Sequence, residues 1–378
     1  MFIELHMIQN FAPSNLNRDD TNNPKDCEFG GYRRARISSQ SLKRAIRYEP
    51  VFAESTQVAI GERSKWMSRP IKEKLIAAGK DEEQAANVAS AFVKDFYAKA
   101  DKKNPEKSSV LLYFSQEEVD NAARGLLEDW DAAVAAAEND KSLPDLVKAL
   151  QKETKNRTSA PDIALFGRML AENPELNIDA ACQVAHAIST HRINMEMDFY
   201  TAVDDLQESE QEEGAGAGMM GFTNFNSACF YRYVRIDWGQ LVKNLGGDIA
   251  LAARTVEGFL RAALDAIPSG KQNSFAAQNP TSLALAVVRE DGKSWNLANA
   301  FEEPVYAGKN GSLIGSSILA LDQYWQDLVN RRDDAQFEVV AAWVDSTPHE
   351  EKLSALAQYR TTKISEWVTA ASEALPRE

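Results

Sequence analysis

The sequence predicts an α+β fold, a sheet core that carries a helical insertion and a long projecting hairpin. Three observations point there. Strand patterns at Phe2–Phe11, Ser282–Arg289 and Gln336–Val344 are interleaved with helical patterns. Residues 51 to about 158 shift to a Glu/Lys/Ala-heavy composition with helical periodicity. Ile193–Tyr231 holds eight acids and no lysine or arginine, and its glycine-rich GAGAGMMG (Gly214–Gly221) leads into an alternating FNSACFYRYVRI. That pattern reads as two arms joined by a long tip.

Taken in order, Phe2–Phe11 places Ile3, Leu5 and Met7 on one face of a strand and Glu4 and His6 on the other. Residues 12–31 are punctuated by Pro, Asn, Asp and Gly and read as a loop. A short strand is expected at Arg33–Ile37. A helix should begin at Ser38 or Ser39 and end near Tyr48, ahead of Pro50. The insertion offers helices at 63–79, 81–100, 115–139 and 144–156, with a short strand at Val110–Phe114. A helix is expected over Ile178–Thr190. After the hairpin come a helix at 248–266, a polar loop Pro268–Pro280, the strand Ser282–Arg289 and a glycine-containing loop at 307–316. A helix Ser317–Arg331, the strand Gln336–Val344 and an amphipathic helix 349–374 complete the chain.

A chain of 378 residues accommodates two or three structural units. No run approaches the roughly 18–20 apolar residues of a membrane span, and MFIELHMIQNF has no basic leader region. Three widely spaced cysteines, Cys27, Cys182 and Cys229, argue against a disulfide scaffold and for a reducing cytoplasm. The net charge is −14, yet Arg33–Arg47 contains six cations and no acid, so the remainder sums to −20 (−14 minus +6). A local inversion of sign on an acidic chain marks an anion site.

Within the helix that follows, Leu42, Ala45 and Ile46 form an inward stripe. Gln40, Lys43, Arg44 and Arg47 share the other side at i, i+3, i+4, i+7. Three residues after Ser38 comes Ser41, and three after Ser39 comes Leu42, so no Glu or Gln completes a capping box. First-turn N–H groups then stay available to an outside anion. The same spacing also describes a solvated helix with cations on its wet face. Lys141, Lys148, Lys152 and Lys155, at offsets 0, 7, 11 and 14, form another stripe, either a solvated face or a phosphate-facing one. His186 and His191 are five apart, outside the four-residue spacing of a paired metal site.

There is no phosphate-binding P-loop, dinucleotide fingerprint, nucleophile elbow or zinc-protease motif. The carboxylates Asp19, Asp20 and Asp26 lie beside the basic stretch. They suit either divalent-metal or general-base work on a bound phosphodiester, or pairing with Arg18 or Arg33 and turn capping. Nucleic-acid binding needs backbone-tracking cations, helix-end N–H groups and flat or apolar side chains against bases. The cations between 18 and 47, the Ser38–Gln40 turn, and Met169, Phe199 and Tyr200 offer all three.

SNLNRDDTNNPKDCEFGGYRRARISSQSLKRAIR (Ser14–Arg47) closely resembles the start of CasC-type proteins, the repeated backbone subunits of the type I-E CRISPR surveillance complex Cascade, in the RAMP superfamily. HAISTHRINMEMDFYTAVDDLQE (His186–Glu208), FYRY (Phe230–Tyr233) and GKQNSFAAQNP (Gly270–Pro280) extend the likeness to about residue 301. The resemblance implies an RRM-like (ferredoxin-like) palm from 1–58 and 181–378, helical fingers at 59–180, and a thumb hairpin at about 194–226. It implies polymerisation along CRISPR RNA in a helical filament, with the guide presented in segments for pairing with target DNA. Arg18, Lys25, Ser38, Gln40, Lys43 and Arg47 would hold guide phosphates, with Arg34 and Lys271 in the same RNA-binding set. Met169, Phe199 and Tyr200 would wedge at a displaced nucleotide, and Lys141, Lys148, Lys152 and Lys155 would face DNA. Arg34 and Arg36 point one way on their strand and Arg33 the other, so at least one should pair with the acidic loop. The expected partners are further copies, other Cascade subunits and a recruited helicase-nuclease. No cofactor, metal or catalytic residue is implied. The alternative is a type III-like backbone subunit that cuts target RNA with a metal and Asp19 or Asp20. The acids of the hairpin, Glu208, Glu210, Glu212 and Glu213 among them, should dock on a basic patch of an adjacent copy.

Overall fold

The structure, a computed structural model, describes residues 1–143, 149–150, 154–202, 219–308 and 311–376. Its strands are β1 (Phe2–Ser14), β2 (Asp26–Phe29), β3 (Tyr32–Ile37), β4 (Glu62–Ser64), β5 (Leu112–Phe114), β6 (Cys182–Val184), β7 (Ala187–Ser189), β8 (Glu196–Ala202), β9 (Met219–Asp237), β10 (Leu283–Arg289) and β11 (Val339–Val344). The main sheet runs β11-β10-β1-β9-β7-β3-β2, with β6 and β8 also pairing with β9. Each of these pairings is antiparallel.

Strand β1 lies at the centre, Ile3 opposite both Val288 of β10 and Ile236 of β9. Both of its faces are covered. Ile3, Leu5 and Met7 meet Phe259 and Leu260 of one helix, while Ile8 lies in a second core with Tyr231, Leu285 and Trp325. This explains why LALAVVR of β10 is buried at every position: a strand covered on both faces needs no polar alternation. The covering helices include α1 (Ser39–Tyr48), α2 (Pro50–Thr56), α9 (Ile249–Asp265), α10 (Leu313–Arg331) and α11 (Ile364–Glu373).

The intervening helices α3 (Ser68–Ala77), α4 (Glu82–Phe96), α5 (Gln116–Glu128) and α6 (Trp130–Glu138) enclose their own core around Ile71, Leu75, Phe92, Phe96 and Leu126. Inside it Arg168 meets Glu118 at 2.6 Å, and Glu118 also receives the Tyr97 hydroxyl and caps Ser115. Two further helices, α7 (Pro161–Phe166) and α8 (Trp238–Asn244), are joined by a bond from Asn244 to the Ala164 carbonyl and contribute Phe166, Trp238 and Leu241 to the core of the main sheet. Among the described residues no helix is long and apolar enough to cross a membrane.

Several expectations need correction. The expected helix Ile178–Thr190 is instead β6 and β7, which pair with β9 and β3. The backbone groups of β9 between Phe230 and Ile236 need partners along that edge, and this demand overrides the local helical spacing. The 63–79 helix starts only at Ser68, because Glu62–Ser64 pairs with Leu112–Phe114. Helix 115–139 divides at Asp129, whose backbone leaves the helical region (φ −132°, ψ 55°). The C-terminal helix is shorter than expected. Asp322, buried on α10, accepts the N–H groups of Ser354, Ala355 and Leu356 at 3.1, 3.1 and 2.8 Å, which takes those residues out of any helix. Most of the expected helix 144–156 lies outside the described residues.

Candidate nucleic-acid interface

The basic stretch begins on a hairpin. Strands β2 and β3 are joined at Gly30 and Gly31, both at positive φ, and a Cβ on Gly30 would strike the Glu302 carbonyl. Arg33 pairs with Asp26 across this hairpin. Arg36 donates to the Asp26 carbonyl at 3.1 Å and lies 3.0 Å from His186 Nδ1. Partial burial, then Arg36 and Lys25, hold His186 below the usual imidazole range. It therefore stays neutral in a positive surround.

Helix α1 starts from Ser38, whose hydroxyl makes no capping bond. Its own N–H is taken by Asn17 Oδ1 at 2.8 Å, and the Asn17 carbonyl accepts Lys25 N–H at 2.8 Å. The preceding loop is thereby tied to the helix start. Asp19 Oδ1 organises the loop tip, accepting from Thr21 N, Thr21 Oγ1 and Asn23 N at 2.8–2.9 Å. The Thr21 hydroxyl is the main cause of its lowered pKa. Buried Asn15 donates to the carbonyls of Asn22 and Asn224, and Asn224 returns a bond to Asn23 Oδ1 at 2.6 Å. The loop is thus also joined to the base of the β8–β9 arm.

A third segment closes the site. Gly270 lies so near Leu16 that a Cβ there would sit 2.3 Å from its carbonyl oxygen, so only glycine permits the approach. Lys271 follows in the left-handed region (φ 51°), and Phe275 packs on Phe225 at 5.7 Å. The result is an open cleft of about 340 Å³, with Arg18, Asp19, Ser41 and Gly270 in its lining. Arg18 is exposed in that lining and Gln40 is exposed next to Ser41, while Lys25, Lys43 and Lys271 are partly exposed. Lys43 Nζ stands 5.4 Å from the Phe166 ring. Three segments far apart in sequence, Leu16–Asn22, Ser41 and Ser269–Gly270, therefore meet at one cleft, whose charged lining residues are Arg18 and Asp19.

Two expected members are not there. Arg47 is 2% exposed and meets Asp162 at 2.7 Å, with a second bond to the Gly61 carbonyl. Asp162 also receives Tyr113 Oη at 2.6 Å and Gly61 N–H at 2.8 Å. Arg47 is therefore a tie between α1 and the helical unit. Arg34 is likewise interior, donating to the carbonyls of Phe29, Ser189, Phe301 and Glu302. The Ser38 side chain is nearly covered.

On the arm, Phe199 lies opposite Phe222 and Tyr200 opposite Gly221. Neighbouring strand residues face opposite ways, so Phe199 and Tyr200 do not form one stacked pair. Phe199 (51% exposed) packs on Phe222 (66%) at 5.3 Å, with Met197 and Met220 on the same face. Tyr200 covers Gly221 on the other face. Phe222, Met197 and Met220 went unrecognised in the sequence, although the alternation Met197, Phe199 carries their signal. Met169 is 83% exposed, directly after buried Arg168. Lys141 and Lys155 are exposed, while Lys148, Lys152 and the acids from Asp204 to Glu213 lie outside the described residues. Among the described residues no group of three or more His, Cys, Asp or Glu is arranged to hold a metal.

This is an α+β protein with an open cleft, a separate helical unit and an aromatic arm, and its fold recurs in solved structures. The chain is similar to one in "CRISPR RNA-guided surveillance complex, pre-nicking", with TM-score 0.84, 31% identity, and 99% of this chain and 100% of the other covered. It is also similar to one in "CRISPR RNA-guided surveillance complex", with TM-score 0.75, 26% identity and the same coverage. The chain belongs to the CT1975-like protein family, whose pattern matches residues 3–370. No curated protein matches it.

Proposed function

We propose that this chain is a non-catalytic RNA-binding subunit of a CRISPR RNA-guided surveillance complex, of the type I-E Cascade kind. It polymerises along CRISPR RNA as the backbone and presents the guide in segments for pairing with target DNA. The observation that carries this reading is the full-length likeness at 31% identity to a chain of such a complex, helical unit and arm included. In this reading the main sheet is an RRM-like palm, the helical unit the fingers and the β8–β9 arm the thumb. Arg18, Lys25, Gln40, Lys43 and Lys271 hold guide phosphates. Met169, Phe199, Phe222 and Tyr200 meet bases at interruptions of the stack. Other subunits and a helicase-nuclease complete the machinery, in the cytoplasm.

A separate cutting role is not proposed, because Asp19 Oδ1 is committed to its own loop and Asp26 to Arg33. The test is purification from cells that express a CRISPR array. The chain should co-isolate with RNA of uniform length, and this RNA should stay intact with Mg²⁺. Absence of RNA, or a random length distribution, sinks the reading. Periodic cuts in complementary RNA that vanish on Asp20→Ala would replace it with the metal-dependent one.

A further inference from the structure

The edge of the sheet beside α1 holds a histidine among cations. Arg36 pairs with Ile188 and Ile37 with Ala187, so the same register carries His186 to the position opposite Ser38, where α1 begins. His186 is exposed, and Arg36 and Lys25 are partly so, which leaves all three side chains open to solvent. Arg36 Nη1 lies 3.0 Å from His186 Nδ1. A guanidinium can only donate, so Nδ1 is the accepting nitrogen and the ring proton sits on Nε2.

The charges that act on this ring are of one sign. β3 contributes Arg36 and the segment before β2 contributes Lys25, and both add to partial burial in keeping the imidazole neutral. β6 and β7 carry no charged residue. The Asp26 carboxylate is turned to Arg33, and only its backbone carbonyl serves Arg36. Asp19 lies within electrostatic reach of Lys25, but its Oδ1 is held by Thr21 and Asn23. Burial raises the Cys27 thiol of β2, so it too is neutral. Helix α1 has no acid in its first turn and no side-chain cap. Among the described residues neither Arg36 nor Lys25 forms an ion pair. Two cations without a counter-ion, a donor imidazole and an uncapped helix start therefore meet at one open place, a combination that a phosphate group satisfies.

We propose that Arg36, Lys25 and His186 form a phosphate seat for bound RNA, and that His186 takes up a proton as the phosphodiester arrives. The inference rests on the RNA-binding reading above. A phosphodiester beside the ring favours the imidazolium. Protonation of Nδ1 ends the bond from Arg36 and frees Nη1, so both side chains donate to the phosphate. The histidine is then more basic in the complex than in the free chain. RNA affinity accordingly rises as pH falls through the bound-state value and levels off below the free-state value.

Anisotropy titrations of a fluorescent single-stranded RNA with the full chain, at constant ionic strength from about pH 8 to about pH 5.5, read this. The unaltered chain should gain affinity about tenfold over that range, and His186→Gln should lose the gain while keeping its affinity at the alkaline end within about twofold. With the four histidines labelled for NMR, the resonance that His186→Gln removes should titrate at higher pH once RNA is added. Arg36→Gln should lower the salt slope by about one unit. Equal pH dependence in the unaltered chain and His186→Gln overturns the proposal, as does a His186 resonance that titrates alike with and without RNA. An unchanged salt slope in Arg36→Gln overturns it too, and if that variant does not fold the resonance decides. Binding with a flat pH profile sinks this inference alone, whereas no binding by the unaltered chain at any pH sinks the reading beneath it.

Discussion

Lys43 and Arg47 sit one helical turn apart with the same charge, and they do different things. Lys43 is partly exposed, with its Nζ 5.4 Å from the Phe166 ring, while Arg47 is sealed against Asp162. Replacing Lys43 and Gln40 by alanine should weaken RNA binding by a similar factor for every sequence. It should lower the salt slope by about one unit per lost phosphate contact. A titration across salt concentrations reads this, and sequence-selective loss would contradict backbone holding. Arg47→Ala should act on stability instead, by about 3–5 kcal/mol, because it strands a buried carboxylate. Urea denaturation measures that effect. The helical spacing brought Arg47 onto the cationic stripe, and nothing local in the sequence distinguishes it from Lys43. Its partner lies 115 residues away, and only the packing of α7 beside α1 shows that the stripe ends at Arg44.

At the scale of elements, the cleft depends on a close approach between loops. Gly270→Ala would press a methyl group into the Leu16 carbonyl. It should destabilise by about 1–3 kcal/mol and weaken RNA binding even though no cation is lost. Retained affinity would show that the Pro268–Pro280 loop is not a wall of the site. On the far side of the sheet, Asp322→Ala leaves three N–H groups without their acceptor. It should cost about 3 kcal/mol and speed hydrogen exchange at Ser354–Leu356 before the rest of the chain. Strands with a strong apolar pattern, such as β1 and β10, were legible in the sequence, as were α1 and α9. The segment β6–β7 was not, because its identity is decided by the edge of β9 and not by its own residues. The cleft itself was half legible. Arg18 and Asp19 stood out in the loop, but the third wall is set by Gly270, whose meaning depends on a contact across the fold.

At the scale of the whole molecule, stability should depend on pH through two residues of the central strand. Burial raises Glu4 to about 7, against the opposing Trp295 N–H and Arg289, and burial lowers His6 to about 3. A raised carboxyl contributes stability that is present below its unfolded value near 4.5 and is lost as pH rises to 7. A lowered imidazole contributes stability that is present above its unfolded value near 6.5 and is lost as pH falls toward 3. Between 4.5 and 6.5 the two trends oppose each other. Melting temperature should therefore be flattest in that window and fall on both sides of it. Glu4→Gln should remove the decline between pH 6.5 and 7 while leaving the acid side in place, and an unchanged decline would locate its source elsewhere.

Strand β9 runs 19 residues without interruption. From Asp237 back to Asn226 it pairs with the central strand, and from Phe225 to Met219 it pairs with β8. At the hand-over the pairing with β1 shifts register between Phe11 and Ser14, opposite Ala228 and Asn226. The arm is therefore a cantilever clamped in the middle of the molecule. A load on its aromatic end passes along the same strand, through that register shift, to the pairing between β1 and β9. A binding partner on the arm should thus slow hydrogen exchange in the innermost strands, far from where it touches.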